Sequence, residues 1–271
     1  MTRVRAAILI GLACVFAAML ITGVMRRASS SSALSSDRGP GQSFNLSFRD
    51  GFSEEDWYVS DFTLKSTFFR VGWVPANVHY HPPSISLELN RKPAAPQPFS
   101  GAEVQKLGFY GFGRYEVVMQ AAPGPGAVSS FFTHTDSYFG DPHDEIDIEF
   151  LGNNTRRLHA NVFAKGKSRG SIYIDLPFDA AEEIHLYAFD WQKDAIKWYV
   201  DGQLVKTVTS GDRAIPQTPG RIIMNVWTGT PQQYSWHGEP TFADPTQASY
   251  HCVSFRKTGD TSPQCSDTLA N

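Results

Sequence analysis

Cysteine is scarce in this chain, with three in 271 residues. That excludes a disulfide-dense scaffold, and none of the three has the spacing of a zinc site. Cys14 falls within an apolar N-terminal run, which leaves Cys252 and Cys265 for the folded part. An even pair in an exported chain suggests one disulfide, with two free thiols as the alternative. A basic stripe is also missing, and the formal net charge is −3, so no bulk field draws nucleic acid or an anionic membrane surface. Sustained helical periodicity is absent too: only Asp179 to Glu183 suggests a helical turn, and a short one. No internal repeat or second composition regime divides the chain, and one all-β domain can reach this size.

What remains is alternation and rings. Ser84-Ile-Ser-Leu-Glu-Leu-Asn90 and Gly113-Arg-Tyr-Glu-Val-Val-Met119 alternate polar and apolar residues with the period of a strand. Ile196 to Val205 reads as two strands joined at Asp201-Gly202, a strong hairpin signal. Glycine and proline cluster in Ala122–Gly126 and Pro216–Gly220, which read as loops. The strand pattern runs from Phe48 to Lys257 and predicts a single all-β sandwich followed by a polar tail. Aromatic residues make up 13% of the chain, more than a core requires, which leaves some for flat apolar faces such as those of sugar rings.

The N-terminus is of another kind. Ala6 to Met25 carries no charge and is flanked by Arg3, Arg5, Arg26 and Arg27. A run of roughly 20 apolar residues can span a bilayer, whereas the core of a signal peptide is usually about 7–15. No small-x-small cleavage site follows, so residues 1–27 are expected to be a signal anchor, with a cleaved signal peptide as the alternative. A serine-rich linker over 28–46 precedes the main domain at 47–257, and 258–271 form the polar tail. The expected location is extracytoplasmic, either periplasmic and held to the membrane by this segment alone, or secreted.

The informative segment is His143-Asp-Glu-Ile-Asp-Ile-Glu-Phe-Leu-Gly152. Along a strand, side chains alternate faces, so Glu145, Asp147 and Glu149 share one and Ile146, Ile148 and Phe150 the other. The apolar face belongs in a core. Three acids in a row on the opposite face repel one another and have no structural use there, apart from guarding an exposed edge or holding a chance metal. Glycoside hydrolysis does use such a set: one carboxylate as nucleophile and one carboxylic acid to protonate the leaving oxygen. Crowded like charges also push pKa values apart, so that one acid is ionised while another keeps its proton. Residues four apart on a strand have Cα atoms about 13–14 Å apart. Two glutamates leaning together could close this to the roughly 5–5.5 Å of retaining hydrolases, although an inverting spacing is also compatible.

In its context, Glu145-Ile-Asp-Ile-Glu149 resembles the signature of glycoside hydrolase family 16, and is most similar to bacterial lichenases and rhizobial exopolysaccharide glycanases. Tyr110–Glu116, Val128–Thr133, Tyr187–Trp191, Ile196–Gly202 and Thr218–Trp227 extend the likeness in the family's order, over roughly Phe48 to Lys257. The resemblance implies a jelly-roll sandwich of two antiparallel sheets with a concave cleft for a β-linked polysaccharide. It also implies Glu145 as nucleophile, Asp147 as its assistant and Glu149 as acid/base, with Glu103, Phe132, His134, His143, Asn161, Asn225, Trp227 and Trp236 lining the cleft. The implied activity is that of a retaining endo-β-glucanase on 1,3-1,4-linked glucan or a glucose-containing exopolysaccharide. The alternatives are a transglycosylase using the same site and a lectin-like domain without catalysis. No cofactor or metal is implied for the chemistry, and a monomer is expected.

Several positions depart from the lichenase pattern. His143 stands where lichenases usually carry Trp, and His134, Gln105 and Arg70 replace Tyr, Arg and Asn. Val71 and Gly101 take the positions of the usual lichenase disulfide, so that staple is missing. His251 occupies the place of an Asp that binds structural calcium, and a neutral imidazole is a poor ligand for a hard cation.

Overall fold

The computed structural model describes residues 39–64 and 66–269. The expected signal anchor or signal peptide, and the linker as far as residue 38, lie outside the described residues. Among the described residues, no helix is long and apolar enough to cross a membrane.

Seventeen strands dominate the described residues. They are β1 (Phe44–Ser47), β2 (Trp57–Val59), β3 (Phe62–Thr63), β4 (Val71–Trp73), β5 (Val78–His81), β6 (Ser84–Leu89), β7 (Phe99–Tyr110) and β8 (Gly113–Gln120). They continue as β9 (Val128–Thr135), β10 (Asp144–Leu151), β11 (Arg157–Phe163), β12 (Ile172–Asp175), β13 (His185–Trp191), β14 (Ala195–Val200), β15 (Gln203–Thr209), β16 (Gly220–Trp227) and β17 (Thr246–Lys257). One sheet runs β12-β11-β10-β9-β16-β7-β4-β3, with β2 also on β7; the other runs β15-β14-β13-β8-β17-β6-β5, with β1 also on β17. This is the jelly-roll sandwich expected. Among the named strands one pair breaks the antiparallel rule: β4 runs parallel to β7, Val71 opposite Phe99.

The core forms as the alternation dictates. Ile146, Ile148 and Phe150 are fully buried between the sheets with Phe131, Phe189 and Trp198. Tyr115 and Phe189 stack with ring centroids 4.5 Å apart. Tyr250 sends its hydroxyl through the core to the main-chain oxygens of Ser130 (3.0 Å) and Asn225 (3.3 Å), tying the second sheet to the first.

Local signals resolve in the same physical terms. Asp201 and Gly202 both take positive φ, 48° and 77°, as a tight turn matching strand twist requires. Asp179 to Glu183 makes a single turn, in which the Glu182 and Glu183 amides donate to the Asp179 oxygen at 3.0 and 3.2 Å. Gly101 explains the missing staple, because a Cβ there would meet the Val226 oxygen at 2.5 Å.

The expected polar tail is docked. Cys252 and Cys265 form a disulfide with Cα atoms 5.9 Å apart, and both sit with Val118 and Leu186 in a small apolar cluster. A short helix, Cys265–Leu269, follows. The Ser266 amide and hydroxyl donate to the carboxylate of Glu116 at 2.9 and 3.1 Å, and that carboxylate is fully buried beside Arg114.

Candidate active site

The register of β10 aligns its acids with partners in rows across the first sheet. Glu149 lies in the row Glu103, Asn225, Ser130, Glu149, His159, Tyr173. Asp147 lies in the row Gln105, Ile223, Phe132, Asp147, Asn161. Glu145 stands between His134 and Phe163, with Arg221 beyond His134. Directly opposed residues share a face, so the face that carries the acids also carries five of the eight expected cleft residues in these rows: Glu103, Phe132, His134, Asn161 and Asn225.

Glu145 is held by two imidazoles. His134 Nδ1 lies 2.6 Å and His143 Nε2 3.2 Å from the same Glu145 carboxylate oxygen. Burial alone would raise the Glu145 pKa, but the bonds from His134 and His143 outweigh it and hold the carboxyl down at about 2. Burial alone would lower the His134 pKa, but Asp136 and Glu145 overcome it and lift the imidazolium to about 10. Glu145 is therefore ionised at neutral pH. His143 is fixed by its stack on Phe163, centroids 4.7 Å apart. The three side chains bring donor atoms within 4.8 Å of one another, so a borderline divalent ion could sit there only by displacing these hydrogen bonds and masking the carboxylate.

Glu149 has a different setting. His159 Nδ1 lies 2.8 Å from its carboxylate, and the His159 ring is buried against Tyr173 and Trp236, with centroids 5.1 and 5.2 Å away. Asp147 is buried between its two neighbours. Its main-chain oxygen accepts the indole N–H of Trp198 from the opposite sheet at 3.2 Å.

The rest of the face is polar floor and aromatic wall. Glu103 accepts bonds from Ser60 (2.7 Å), Gln105 (2.8 Å) and Asn225 (3.3 Å), and burial raises its pKa against those three bonds. Gln105 Oε1 and Asn225 Oδ1 are buried with no partner among the described residues, so both can take hydroxyl protons from a ligand. Trp227 packs against Phe68, Phe69 and Trp236, the last at 5.9 Å between centroids. Trp227 is thus largely a wall residue at 4% exposure, whereas Trp236 keeps an accessible face. It rides on a short helix, Tyr234–His237, preceded by a capping box between Thr230 and Gln233.

His159, Gln105 and Asp144 belong to the site although they were not among the expected lining residues. Alternation along β11 places His159 and Phe163 on the face of Asn161, so period two was the available signal. Asp144 reads as one more acid, but it points elsewhere. It accepts the amides of Lys165 (2.7 Å), Gln217 (2.9 Å) and Thr218 (3.0 Å), pinning two loops beside Glu145.

A face of three aligned carboxylates, one ionised between imidazoles, on a two-sheet sandwich is the layout of a carbohydrate-cleaving enzyme. Residues 65–244 match the family described as Glycosyl hydrolases family 16. A beta-glucanase of Bacillus subtilis (strain 168) is 38% identical over 240 residues, 88% of this chain and 96% of that protein. The Bacillus licheniformis beta-glucanase structure superposes with a TM-score of 0.74 at 39% identity, covering 80% of this chain and 99% of that one. A prokaryotic beta-1,3-1,4-glucanase (lichenase) derived from a mouse hindgut metagenome gives a TM-score of 0.74 at 34% identity, covering 79% of this chain and 99% of that one. The chain belongs to glycosyl hydrolase family 16, and it is a glycoside hydrolase.

Proposed function

We propose that this enzyme is a retaining endo-β-glucanase that hydrolyses a 1,3-1,4-linked β-glucan or a glucose-containing exopolysaccharide. The observation that carries the reading is the unequal setting of the acids: Glu145 is kept ionised by His134 and His143, while Glu149 stands two rows further, against His159. In this reading the Glu145 carboxylate attacks the anomeric carbon as Glu149 gives its proton to the departing oxygen. Glu149 then takes a proton from the water that releases the sugar, and Glu145 leaves as carboxylate. Asp147 keeps the two apart and in register. Trp227 and Trp236 offer apolar surface to pyranose faces, while Glu103, Asn161 and Asn225 read hydroxyls.

No cofactor enters these steps. His251, whose imidazole meets Ser249 and whose pKa is lowered by burial, is unsuited to a calcium ion. In this reading the uncharged run Ala6 to Met25 supports an extracytoplasmic enzyme, either periplasmic and held to the membrane by that segment alone or secreted, and monomeric. The deciding experiment is NMR of the first anomer released from mixed-linkage glucan, with product analysis with and without acceptor oligosaccharides. A β-anomer released to water supports the reading. An initial α-anomer overturns Glu145 as nucleophile, and products lengthened by acceptor make the enzyme a transglycosylase.

A further inference from the structure

His134, His143 and Glu145 do more than fix the charge of one acid. His134 Nδ1 and His143 Nε2 converge on a single Glu145 carboxylate oxygen, at 2.6 and 3.2 Å. One donor atom from each of the three lies within 4.8 Å of the others, and among the described residues no other trio of histidine, cysteine or acid side chains is so placed. Two imidazole nitrogens and one carboxylate oxygen are the donor set of an open zinc site, whose fourth position is left to water or a ligand. Tetrahedral bonds of about 2.0–2.2 Å hold neighbouring donors about 3.3 Å apart. The His143–Glu145 spacing is already close to that. The His134–Glu145 spacing has to open by less than about 1 Å.

The surroundings suit such a site. Behind His134, Nε2 stands 3.5 Å from the Asp136 carboxylate, the kind of outer partner that fixes the tautomer and direction of a metal-bound histidine. Asp136 is held in turn, because its other oxygen accepts the Tyr138 amide at 2.9 Å. Glu145 and His134 are directly opposed on β10 and β9, so the backbone ladder sets two of the three donors. The third, His143, is fixed by its stack on Phe163. The side chains of His134, His143 and Glu145 remain 16, 9 and 12% exposed, which leaves an entry path from solvent. Imidazole selects zinc or copper, whereas calcium and magnesium demand more oxygen ligands than the trio offers.

We propose that His134, His143 and Glu145 form an inhibitory site for a borderline divalent cation of the zinc class, which switches the enzyme off by occupying its nucleophile. The ion takes the place of the protons that the two imidazoles share with Glu145, and those protons pass to solvent. The oxygen that attacks the anomeric carbon is then a metal ligand, so ion and glycan exclude each other. The inhibition rests on the reading of Glu145 as nucleophile, whereas the metal site rests on the geometry of the three side chains alone.

The test uses the full chain, freed of metal by chelator and dialysis. Calorimetry should show one Zn2+ bound at this site, with no heat from Mg2+ or Ca2+. Zn2+ at about ten times its Kd should raise the apparent KM for mixed-linkage glucan about tenfold with kcat kept, and excess chelator should restore the rate. Cu2+ fits the same donors more tightly, and EPR of the Cu2+-loaded protein should show two coordinating nitrogens in the parent and one in His134→Gln or His143→Gln. Each of these variants should bind Zn2+ at least about tenfold more weakly, and Asp136→Asn about tenfold more weakly with both nitrogens retained. Circular dichroism of each variant reports intact folding. Unchanged Zn2+ affinity in both histidine variants, or no saturable binding, would overturn the metal site. Binding through two nitrogens with cleavage unaffected, or a loss of kcat at constant KM, would overturn the inhibitory role. Failure to cleave glucan under any condition would instead overturn the reading of the cleft, while calorimetry and EPR would still decide the metal site.

Discussion

The indole N–H of Trp198, on β14, donates to the main-chain oxygen of Asp147 at 3.2 Å. Trp198 is fully buried in the core of the sandwich, so the middle acid of the catalytic strand is fastened to the opposite sheet. Trp198→Phe removes that donor, leaves a buried carbonyl without it and opens a small void. The expected cost is about 2 kcal/mol, read as a lower urea midpoint with an unchanged slope. Turnover should fall with the loosened strand more than KM rises.

Glu145 and His134 set a pH window. The Glu145 pKa is depressed, so its contribution to stability is complete above the ordinary value of about 4.3 and is lost as pH falls toward about 2. The His134 pKa is raised, so its contribution is complete below the ordinary value of about 6.5 and is lost as pH rises through about 10. Both are fully present between about pH 4.5 and 6.5. In that window His134→Gln should lower Tm most, with the gap closing toward pH 10. The acid limb of kcat/KM should also move up in the variant, because the nucleophile loses a partner that favours its charge. An unmoved limb would mean that His134 merely packs.

The two glutamates should separate kinetically. Glu145→Gln keeps size and polarity, so glycan binding should persist while turnover drops by at least about a thousandfold. Replacement of Glu149 by Gln should hurt natural glucan far more than activated aryl glycosides, whose leaving groups need no proton. His159→Phe removes the 2.8 Å bond that aims Glu149. It should reproduce that substrate split in milder form, about tenfold on glucan. Equal losses on both substrates would mark His159 as a packing residue only.

The docked tail gives a stability test remote from the cleft. Reduction, or Cys252→Ser with Cys265→Ser, should cost about 2–3 kcal/mol by release of the closed loop. Calorimetry would show this as a lower Tm, with kcat retained because the bridge lies on the second sheet. Truncation after Lys257 should cost more, since it also strips the Ser266 bonds from the buried carboxylate of Glu116 and leaves Arg114 as its charged partner.

Much of this was readable in the chain because period-two alternation is a strong constraint. Once Ile146 and Ile148 must be buried, Glu145, Asp147 and Glu149 have one place to go. The hairpin at Asp201-Gly202 was equally legible, since few residue pairs accept two positive φ angles. The histidines were harder. Whether His159 meets Glu149 depends on which strand pairs with β10 and in what register, and both are set by contacts far apart in sequence. The short helix that carries Trp236 went unseen because four residues make no periodic signal, although the Thr230–Gln233 capping box stands in the sequence. The tail looked polar because its anchoring groups are a cysteine, a glutamine and a serine, whose burial depends on partners in β8 and β17.

The position of β17 has a consequence for biosynthesis. It is the last of the described strands in chain order, yet it sits between β8 and β6 and also takes up β1, with Phe44 opposite Phe255. Until Thr246–Lys257 has left the ribosome, the second sheet exists as three pieces, β15-β14-β13-β8, β6-β5 and β1 by itself, each with an open edge. Such nonlocal closure makes folding slow. A chain stalled or cut before Thr246 would expose those edges to other chains, and aggregation would follow before any activity appeared.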